Sequence, residues 1–366
     1  MRESTRPEGN AIVYCEGAFG TTNGKTAHGL TRFTRRYRVL SVVDSGFAGR
    51  DAGEVLDGTL NGIPIVPSIA VACSRAEEGG QPATHLVIGL APDGGRLARK
   101  GRTAVVEALT RGLHVDSGLH DFLSDDPELV DLAAANHCQI RDIRKPPSRS
   151  KLHFFSGKIE AVDSFRVAVL GTDSAVGKRT TAWLLVQELE ARGHSVELVG
   201  TGQTAWLQGA RYGIVLDSLV NDFVSGEIEH AVWSAWKERH PAFLVVEGQG
   251  SLMNPAYPGG FEILAAARPD AIVLQHAPGR AHYDGFPGHP IHPLWTQIEA
   301  IELLSDRPVV AVAINHEGLD PEEVPVICET IARETGVPVC DVILQGAGAI
   351  VEAVNRAHLE RLEGVS

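Results

Sequence analysis

Short runs of apolar residues alternate with longer amphipathic stretches along most of the chain. The apolar runs, such as 37–43 and 167–170, have the length of buried strands, and they end in glycine-rich or polar segments. Between them, apolar residues recur every three or four positions, most clearly in 101–111, 127–136 and 180–192, which is the period of a helix. Strands that alternate with helices in this way predict parallel sheets covered by helices, and therefore an α/β fold.

This pattern divides the chain into two domains, as the length of 366 residues also suggests. Residues 144–151 contain two prolines and clustered charges, which is typical of an exposed connector. We therefore predict a Rossmann-like α/β domain over 1–147, a linker over 148–165, and a P-loop NTPase-like domain with a doubly wound parallel sheet over 166–366. The predicted strands are 11–15, 37–43, 62–66, 85–89 and 138–143 in the first domain, and 167–170, 195–199, 242–246, 271–274, 309–314 and 337–342 in the second.

The second domain begins with a strand that runs into Gly-Thr-Asp-Ser-Ala-Val-Gly-Lys over residues 171–178. A strand, a loop of small residues and a helix N-terminus form a phosphate-binding loop, because the loop amides and the helix dipole both present partial positive charge. Lys178 adds a full charge at the same place. The alternative is an ordinary strand-to-helix turn. The predicted phosphate-binding residues are Asp173, Ser174, Ala175, Val176, Gly177, Lys178, Arg179, Thr180 and Thr181.

This loop departs at two points from the usual phosphate-loop pattern, Gly-x-x-x-x-Gly-Lys-Ser/Thr. Five residues separate Gly171 from Gly177, and Arg179 occupies the place of the hydroxyl residue that normally binds Mg²⁺. Thr180 and Thr181 follow one and two places later. Phosphate binding tolerates this change better than metal-assisted hydrolysis does.

Polar segments follow the other strands of this domain, and the carboxyl ends of parallel strands meet at one edge of a sheet. Strand 242–246 leads to Glu247, as in a Walker B strand. Its carboxylate could hold Mg²⁺, serve as a general base for an amine, or cap the turn at Gly248. The predicted catalytic residues are Glu247, Gln249 and His276. The predicted substrate-binding residues are Gln203, Ser251 and Arg280, the last because a planar guanidinium suits a carboxylate.

Two other features carry weaker chemical signals. Four histidines lie between residues 276 and 292, but their spacing does not match a compact zinc site and no cysteine is near, so we expect no metal there. Asp44 ends a predicted strand of the first domain, where it either contacts a ribose hydroxyl or caps the next turn. The cap is favoured, because that domain contains no complete Gly-x-Gly-x-x-Gly motif.

Composition excludes several classes of protein. The net charge of −13 and the lack of a basic run argue against general binding to nucleic acid or to anionic membranes. No apolar stretch is long enough to span a bilayer, and the N-terminal residues lack the apolar core of a signal peptide. The five cysteines are scattered, which favours free thiols and a cytoplasmic location. Enzymes of this size and class often self-associate, so we expect a homo-oligomer that acts on small molecules.

These motifs together resemble known families. The phosphate loop, including its extra residue, is similar to that of dethiobiotin synthetases. The chain as a whole more closely resembles a bacterial P-loop family typified by D-glutamate N-acetyltransferase. The resemblance implies acetyl transfer from acetyl-CoA to the α-amine of D-glutamate or a related amino acid. The phosphate loop would then hold CoA phosphates, and neither ATP nor a metal is expected. The stretches that carry it are 43–53, 171–181, 200–204, 246–252, 254–257 and 276–280.

Two alternatives remain at this stage. An ATP-dependent ligase or kinase-like enzyme related to dethiobiotin synthetase is favoured by Glu247 in a Walker B position and disfavoured by Arg179 in the magnesium position. A nucleotide or coenzyme sensor without catalytic activity is the third possibility. Magnesium-dependent ADP release would indicate the ligase, and ligand binding without turnover would indicate the sensor.

Overall fold

The computed structural model describes residues 7–364, which form two compact units. The first unit contains the chain up to Pro147 together with Gln203–Gly209. The second contains Ser148–Gly202 and the chain from Ala210 onward, so the segment 148–165 lies within it. No helix in the described part of the chain has both the length and the apolar character needed to cross a bilayer.

The first unit is built on a parallel sheet of six strands in the order β3-β2-β1-β4-β5-β6. Its central strands are apolar at consecutive positions, such as Ala11, Ile12 and Val13, because helices cover both faces. The strands are β1 (Gly9–Tyr14), β2 (Tyr37–Val43), β3 (Ile65–Val66), β4 (His85–Ile88), β5 (His114–Ser117) and β6 (Ile140–Asp142). The first five helices are α1 (Lys25–Arg32), α2 (Ala52–Asp57), α3 (Ile69–Glu78), α4 (Arg99–Thr110) and α5 (Pro127–Ala135).

Asp44 follows β2 and is buried. Its carboxylate accepts hydrogen bonds from the backbone amides of Phe19 and Gly46, each at 2.9 Å. One side chain therefore fixes the loops after β1 and β2. This confirms the prediction that Asp44 is a cap.

The second unit is built on a parallel sheet of seven strands in the order β13-β12-β11-β7-β10-β8-β9. The strands are β7 (Phe165–Gly171), β8 (Val196–Gly200), β9 (Tyr212–Gly213), β10 (Phe243–Glu247), β11 (Ala271–His276), β12 (Val309–Ile314) and β13 (Val339–Asp341). The remaining helices are α6 (Lys178–Ala191), α7 (Gln203–Leu207), α8 (Asn221–Arg239), α9 (Phe261–Ala267), α10 (Leu294–Ser305), α11 (Val324–Thr335) and α12 (Gly348–Gly364). All of these helices except α7 belong to the second unit.

The segment after Pro147 packs against α8. Glu229 is fully buried on that helix, and its carboxylate accepts bonds from the amide of Ser156 at 2.8 Å and the amide of Ile159 at 3.2 Å. Gly226 allows the backbone to approach, since a Cβ there would lie 2.0 Å from the carbonyl oxygen of His153. The segment is thus held by specific contacts as part of the second unit.

Candidate active site

The carboxyl ends of three neighbouring strands frame the phosphate loop. β7 leads into the loop, and β11 and β10 pair with β7 on either side. Gln275 pairs with Gly171, so β11 reaches the start of the loop, and Glu247 pairs with Val169, so β10 ends beside the last residues of β7. Glu247 and the residue after Gln275, His276, therefore lie on opposite sides of the loop although they are distant in sequence.

The backbone of the loop alternates in handedness. Ala175 has a φ of +52° and Gly177 a φ of +111°, whereas the residues before each of them do not have positive φ. Alternation of this kind forms a nest, in which successive N–H groups point toward a common anion. The helix α6 starts directly after Gly177 and adds the positive end of its dipole. The described geometry fits a phosphate group.

Lys178 is the first residue of α6, and its side chain is buried, with 7% of its surface exposed. The ammonium Nζ donates to the carbonyl oxygen of Asp173 at 2.6 Å, at the beginning of the loop. Burial lowers the pKa of Lys178 to about 8, and the negative charges of Asp173 and Glu247 oppose this shift. A phosphate ligand would supply a further negative charge and favour the protonated lysine.

Asp173 is a fully buried carboxylate near the beginning of the loop. Its Oδ1 accepts from the amide of Ser174 at 2.7 Å and from Asn254 Nδ2 at 2.6 Å. Its Oδ2 accepts from Arg280 Nη1 at 3.1 Å and from the amide of Asp284 at 2.9 Å. Predicted as a phosphate-binding residue, Asp173 is a hydrogen-bonding centre that joins the phosphate loop to the loops after β10 and β11.

Arg280 lies in the loop after β11, and its guanidinium is bonded on both sides. Besides Asp173, it binds Glu317, with Nη2 at 2.7 Å from the carboxylate oxygen. Burial lowers the pKa of Arg280, but its hydrogen bonds and charge pairing with Glu317 and Asp173 more than offset this, so the pKa is raised. The guanidinium predicted to clamp a substrate carboxylate is thus engaged by carboxylates of the chain itself.

Glu247 ends β10 and is buried, with 4% of its surface exposed. Its carboxylate accepts from the amide of Thr201 at 2.8 Å, and the hydroxyl of Thr201 donates to the carbonyl of Glu247 at 2.9 Å. Burial raises the pKa of Glu247, although the charges of Arg179 and Lys178 act in the opposite direction. A buried carboxylate with a raised pKa beside an anion site can accept a proton from an amine.

The loop after Glu247 carries two of the predicted site residues. Gln249 is half-buried and packs closely on Gly202, where an added Cβ would lie 2.8 Å from its Nε2. Ser251 is buried, and its hydroxyl donates to the carbonyl of Thr172 at 3.1 Å. Both residues line a cleft that also includes Gly171 of the phosphate loop. Gln249 therefore lines the same cleft as Gly171, the residue at which the phosphate loop begins, whereas the Ser251 hydroxyl is used within the chain.

His276 ends β11, and its Nδ1 lies 2.9 Å from the hydroxyl of Thr172. Burial lowers the pKa of His276 to about 4, so its imidazole is neutral near pH 7. The preceding residue, Gln275, accepts a hydrogen bond from the hydroxyl of Thr181. Thr181, one of the predicted phosphate-binding residues, therefore ties α6 to β11.

The other predicted residues are placed as follows. Arg179 and Thr180, in the first turn of α6, are half-buried. Gln203 is buried in the first unit, where its Nε2 donates to the hydroxyl of Thr26 at 2.9 Å and to that of Thr204 at 2.7 Å. Among residues 7–364, no cluster of three or more histidine, cysteine, aspartate or glutamate side chains could hold a metal ion.

Several residues that contact the phosphate loop were not among the predicted site residues. Asn254 and the amide of Asp284 bind Asp173, and the hydroxyl of Ser174 donates to the Asp284 carboxylate at 2.7 Å. Asn315, which follows β12, donates to the carbonyl of Val176 at 3.1 Å. The available signal was position, since Asn315 follows a strand end on the same edge of the sheet.

Models of one protein family match both parts of the chain. The Rossmann-like domain of DUF1611, a domain of unknown function, matches residues 45–146, and the P-loop domain of DUF1611 matches residues 153–351. The crystal structure of a DUF1611 family protein from Anabaena variabilis is similar over 95% of this chain and 99% of that chain, with a TM-score of 0.87 and 30% sequence identity. These matches confirm the predicted fold class.

Two D-glutamate N-acetyltransferases are similar in sequence. The one from a Pseudoalteromonas species is 33% identical over 285 residues, which cover 76% of this chain and 83% of that protein. The one from Tritonibacter scottomollicae is 31% identical over 278 residues, which cover 74% and 81%. The resemblance found in the motifs is thereby confirmed, and the chain belongs to the DUF1611 family, with its Rossmann-like N-terminal and P-loop C-terminal domains.

Proposed function

We propose that this protein is an amino-acid N-acetyltransferase that moves an acetyl group from acetyl-CoA to the α-amine of D-glutamate. One observation carries the proposal: the loop with alternating φ and the buried Lys178 lies beside a strand that ends in the buried Glu247, whose pKa is raised. The nest suits the phosphates of CoA, and the carboxylate suits an amine that must lose a proton. The D-glutamate N-acetyltransferases that resemble this chain support the choice of acceptor.

In this proposal Glu247 accepts a proton from the substrate ammonium, because only the free amine has an electron pair for attack. The amine nitrogen bonds to the thioester carbonyl carbon, and the carbonyl oxygen becomes an oxyanion. Gln249 and the amides of the glycine-flanked loop around it stabilise that charge. The C–S bond then breaks, the nitrogen gives up its second proton, and the CoA thiolate takes up one proton while one is released to solvent.

The second candidate is an ATP-dependent ligase or kinase-like enzyme. It is favoured by the position of Glu247, which ends the strand beside the phosphate loop as a Walker B acid does. In such an enzyme Glu247 would orient Mg²⁺ or water, and an amine substrate would be phosphorylated or carboxylated. Arg179 in place of the magnesium-binding hydroxyl residue favours the acetyltransferase.

A thiol-release assay separates the two functions. Acetyl-CoA is mixed with the purified protein and a panel of D- and L-amino acids, in EDTA and without ATP. Thiol release confined to D-glutamate or a close analogue is expected for the acetyltransferase. No release with any amino acid, followed by ADP formation when magnesium and ATP are added, would establish the ligase instead.

The two shifted pKa values predict a bell-shaped pH dependence of kcat/KM for acetyl-CoA at saturating D-glutamate. The activity should rise with pH as Glu247 loses its proton, at a pH above the usual glutamate range because burial raises its pKa. It should fall above a pH of about 8, where Lys178 loses its charge. The alkaline decline should move to higher pH in kcat, because bound phosphate favours the protonated lysine. Initial rates between pH 5 and 10 would check both limbs, and a decline in kcat at the same alkaline pH would contradict the assignment to Lys178.

We further propose that the enzyme acts in the cytoplasm as a homo-oligomer on small molecules. The five cysteines have free thiols, which suits a reducing compartment. Sedimentation of the purified chain would measure its oligomeric state.

A further inference from the structure

Four consecutive carbonyl groups of the phosphate loop accept hydrogen bonds from side chains. Lys178, which follows the loop directly, supplies one donor, and Arg280 and Asn315 supply the others. The contacts join Lys178 Nζ to Asp173 O at 2.6 Å, Arg280 Nη1 to Ser174 O at 2.9 Å, Arg280 Nη2 to Ala175 O at 3.3 Å, and Asn315 Nδ2 to Val176 O at 3.1 Å. In a trans peptide the carbonyl and the following amide point in opposite directions. A donor that fixes a carbonyl therefore also fixes the direction of the amide that follows it, and these amides are the groups that an anion would contact.

Arg280 makes two of these four contacts, and they lie at the strained part of the loop. Ala175 has a φ of +52°, which is unfavourable for a residue with a Cβ. The guanidinium binds the carbonyl before this residue and the carbonyl of the residue itself. Without such contacts, Ala175 would relax toward negative φ and the direction of the next amide would change.

Arg280 is itself held rigidly. Asp173 Oδ2 accepts from its Nη1 at 3.1 Å, and Glu317 Oε2 accepts from its Nε at 3.1 Å and from its Nη2 at 2.7 Å. Its side chain is 17% exposed, whereas that of Glu317 is 52% exposed. Glu317 therefore braces the guanidinium from the solvent side while the opposite edge contacts the loop.

We propose that Arg280 is a positioning residue that holds the phosphate nest in its binding conformation, and that it does not clamp the carboxylate of the amino-acid substrate. This inference rests on the proposed function only in taking the phosphates of acetyl-CoA as the natural ligand. Arg280 acts on acetyl-CoA through the loop amides, so its loss should weaken phosphate binding without a direct effect on the binding of D-glutamate. Glu317 supports the loop indirectly by holding Arg280, so its loss should weaken phosphate binding to a smaller extent.

The test uses Arg280→Ala and Glu317→Gln, with Arg239→Ala as control, since Arg239 pairs with Glu197 on the surface of the same unit. Binding of inorganic pyrophosphate is measured by calorimetry, and KM is measured separately for acetyl-CoA and D-glutamate. Arg280→Ala should weaken pyrophosphate binding and raise the acetyl-CoA KM by about tenfold, and Glu317→Gln by about threefold, each a loss expected when a charge-assisted contact is removed. The D-glutamate KM should stay within about twofold and kcat within about threefold, and the control should match the wild type.

A rise in the D-glutamate KM with unchanged pyrophosphate binding would overturn the inference and establish Arg280 as the substrate clamp. Pyrophosphate that fails to bind the wild-type chain would overturn it as well, because the nest would then not be formed in advance. If Arg280→Ala does not fold, Glu317→Gln decides alone, since that residue is exposed. Pyrophosphate binding requires no acetyl transfer, so a protein that transfers no acetyl group to any amine refutes the proposed function without affecting this result.

Discussion

Replacing Glu247 with glutamine should lower kcat by about 10²- to 10⁴-fold, the range that a general base contributes. Glutamine has nearly the same shape and can still accept the hydrogen bond that the amide of Thr201 donates at 2.8 Å. The fold and both KM values should therefore change little. The acetyl-CoA KM should not rise, because removal of a negative charge near Lys178 favours an anionic ligand. Steady-state kinetics with each substrate varied in turn would measure these effects.

His276→Gln is the matched comparison, because His276 lies on the other side of the phosphate loop and is neutral near pH 7. This variant should keep kcat within about tenfold, and the acid limb of the pH profile should persist in it. In Glu247→Gln that limb should disappear. The assignment of the base fails if Glu247→Gln turns over at nearly the wild-type rate, and it passes to His276 if the histidine variant loses the acid limb.

Replacing Lys178 with alanine should raise the acetyl-CoA KM by about 10- to 100-fold, since a hydrogen bond to a charged group contributes about 1.5–3 kcal/mol. The ammonium lies at the nest, bonded to the carbonyl of Asp173 at 2.6 Å. Its removal takes away both the charge that attracts phosphate and one of the bonds that orient the loop. The D-glutamate KM should change much less, because the acceptor carries no phosphate.

Lys237→Ala is the control for this variant. Lys237 is exposed on α8 and stacks over the ring of Trp233, so its removal changes the net charge equally without touching the loop. The control should leave both KM values unchanged. Equal acetyl-CoA KM values for Lys178→Ala and the wild type would show that the loop does not bind the donor.

The parts of the structure that the sequence predicted are those with a local signal. The phosphate loop has such a signal, because the apolar run 167–170, the small residues 171–177 and Lys178 follow one another directly. Glu247 was found by the same means, as an acid at the end of an apolar strand. The order of strands around β7 then brings these two local features together, which the general properties of parallel sheets predict.

Strand β5 was not predicted because its second half is polar. Asp116 and Ser117 suggest a loop by composition, yet both are fully buried in the structure. The carboxylate of Asp116 accepts from Tyr37 Oη at 2.5 Å and from Arg141 Nη2 at 2.7 Å, on strands β2 and β6. A buried charge becomes acceptable only when its partners are in place, and those partners are distant in sequence.

The partners of Arg280 were also beyond the reach of sequence patterns. A planar guanidinium on a glycine-rich loop suggests a clamp for a substrate carboxylate. The same side chain suits contacts with carboxylates of its own chain equally well. In the structure the chain brings Arg280 to Asp173, which is 107 positions away, and to Glu317, which is 37 positions away, and neither contact has a local signal in the sequence. The placement of α7, which begins at Gln203, also had no local signal, since α7 follows β8 in sequence but belongs to the first unit.

In the proposed function the phosphate loop holds the acyl donor by its phosphates. The decisive experiment compares acetyl-CoA with acetylpantetheine, which has the same thioester but no phosphate, as donors to D-glutamate in EDTA and without ATP. The proposal predicts that kcat/KM falls by about 100-fold or more for acetylpantetheine, and that inorganic pyrophosphate inhibits the reaction with acetyl-CoA competitively. Equal kcat/KM values for the two donors, with no inhibition by pyrophosphate, would contradict it.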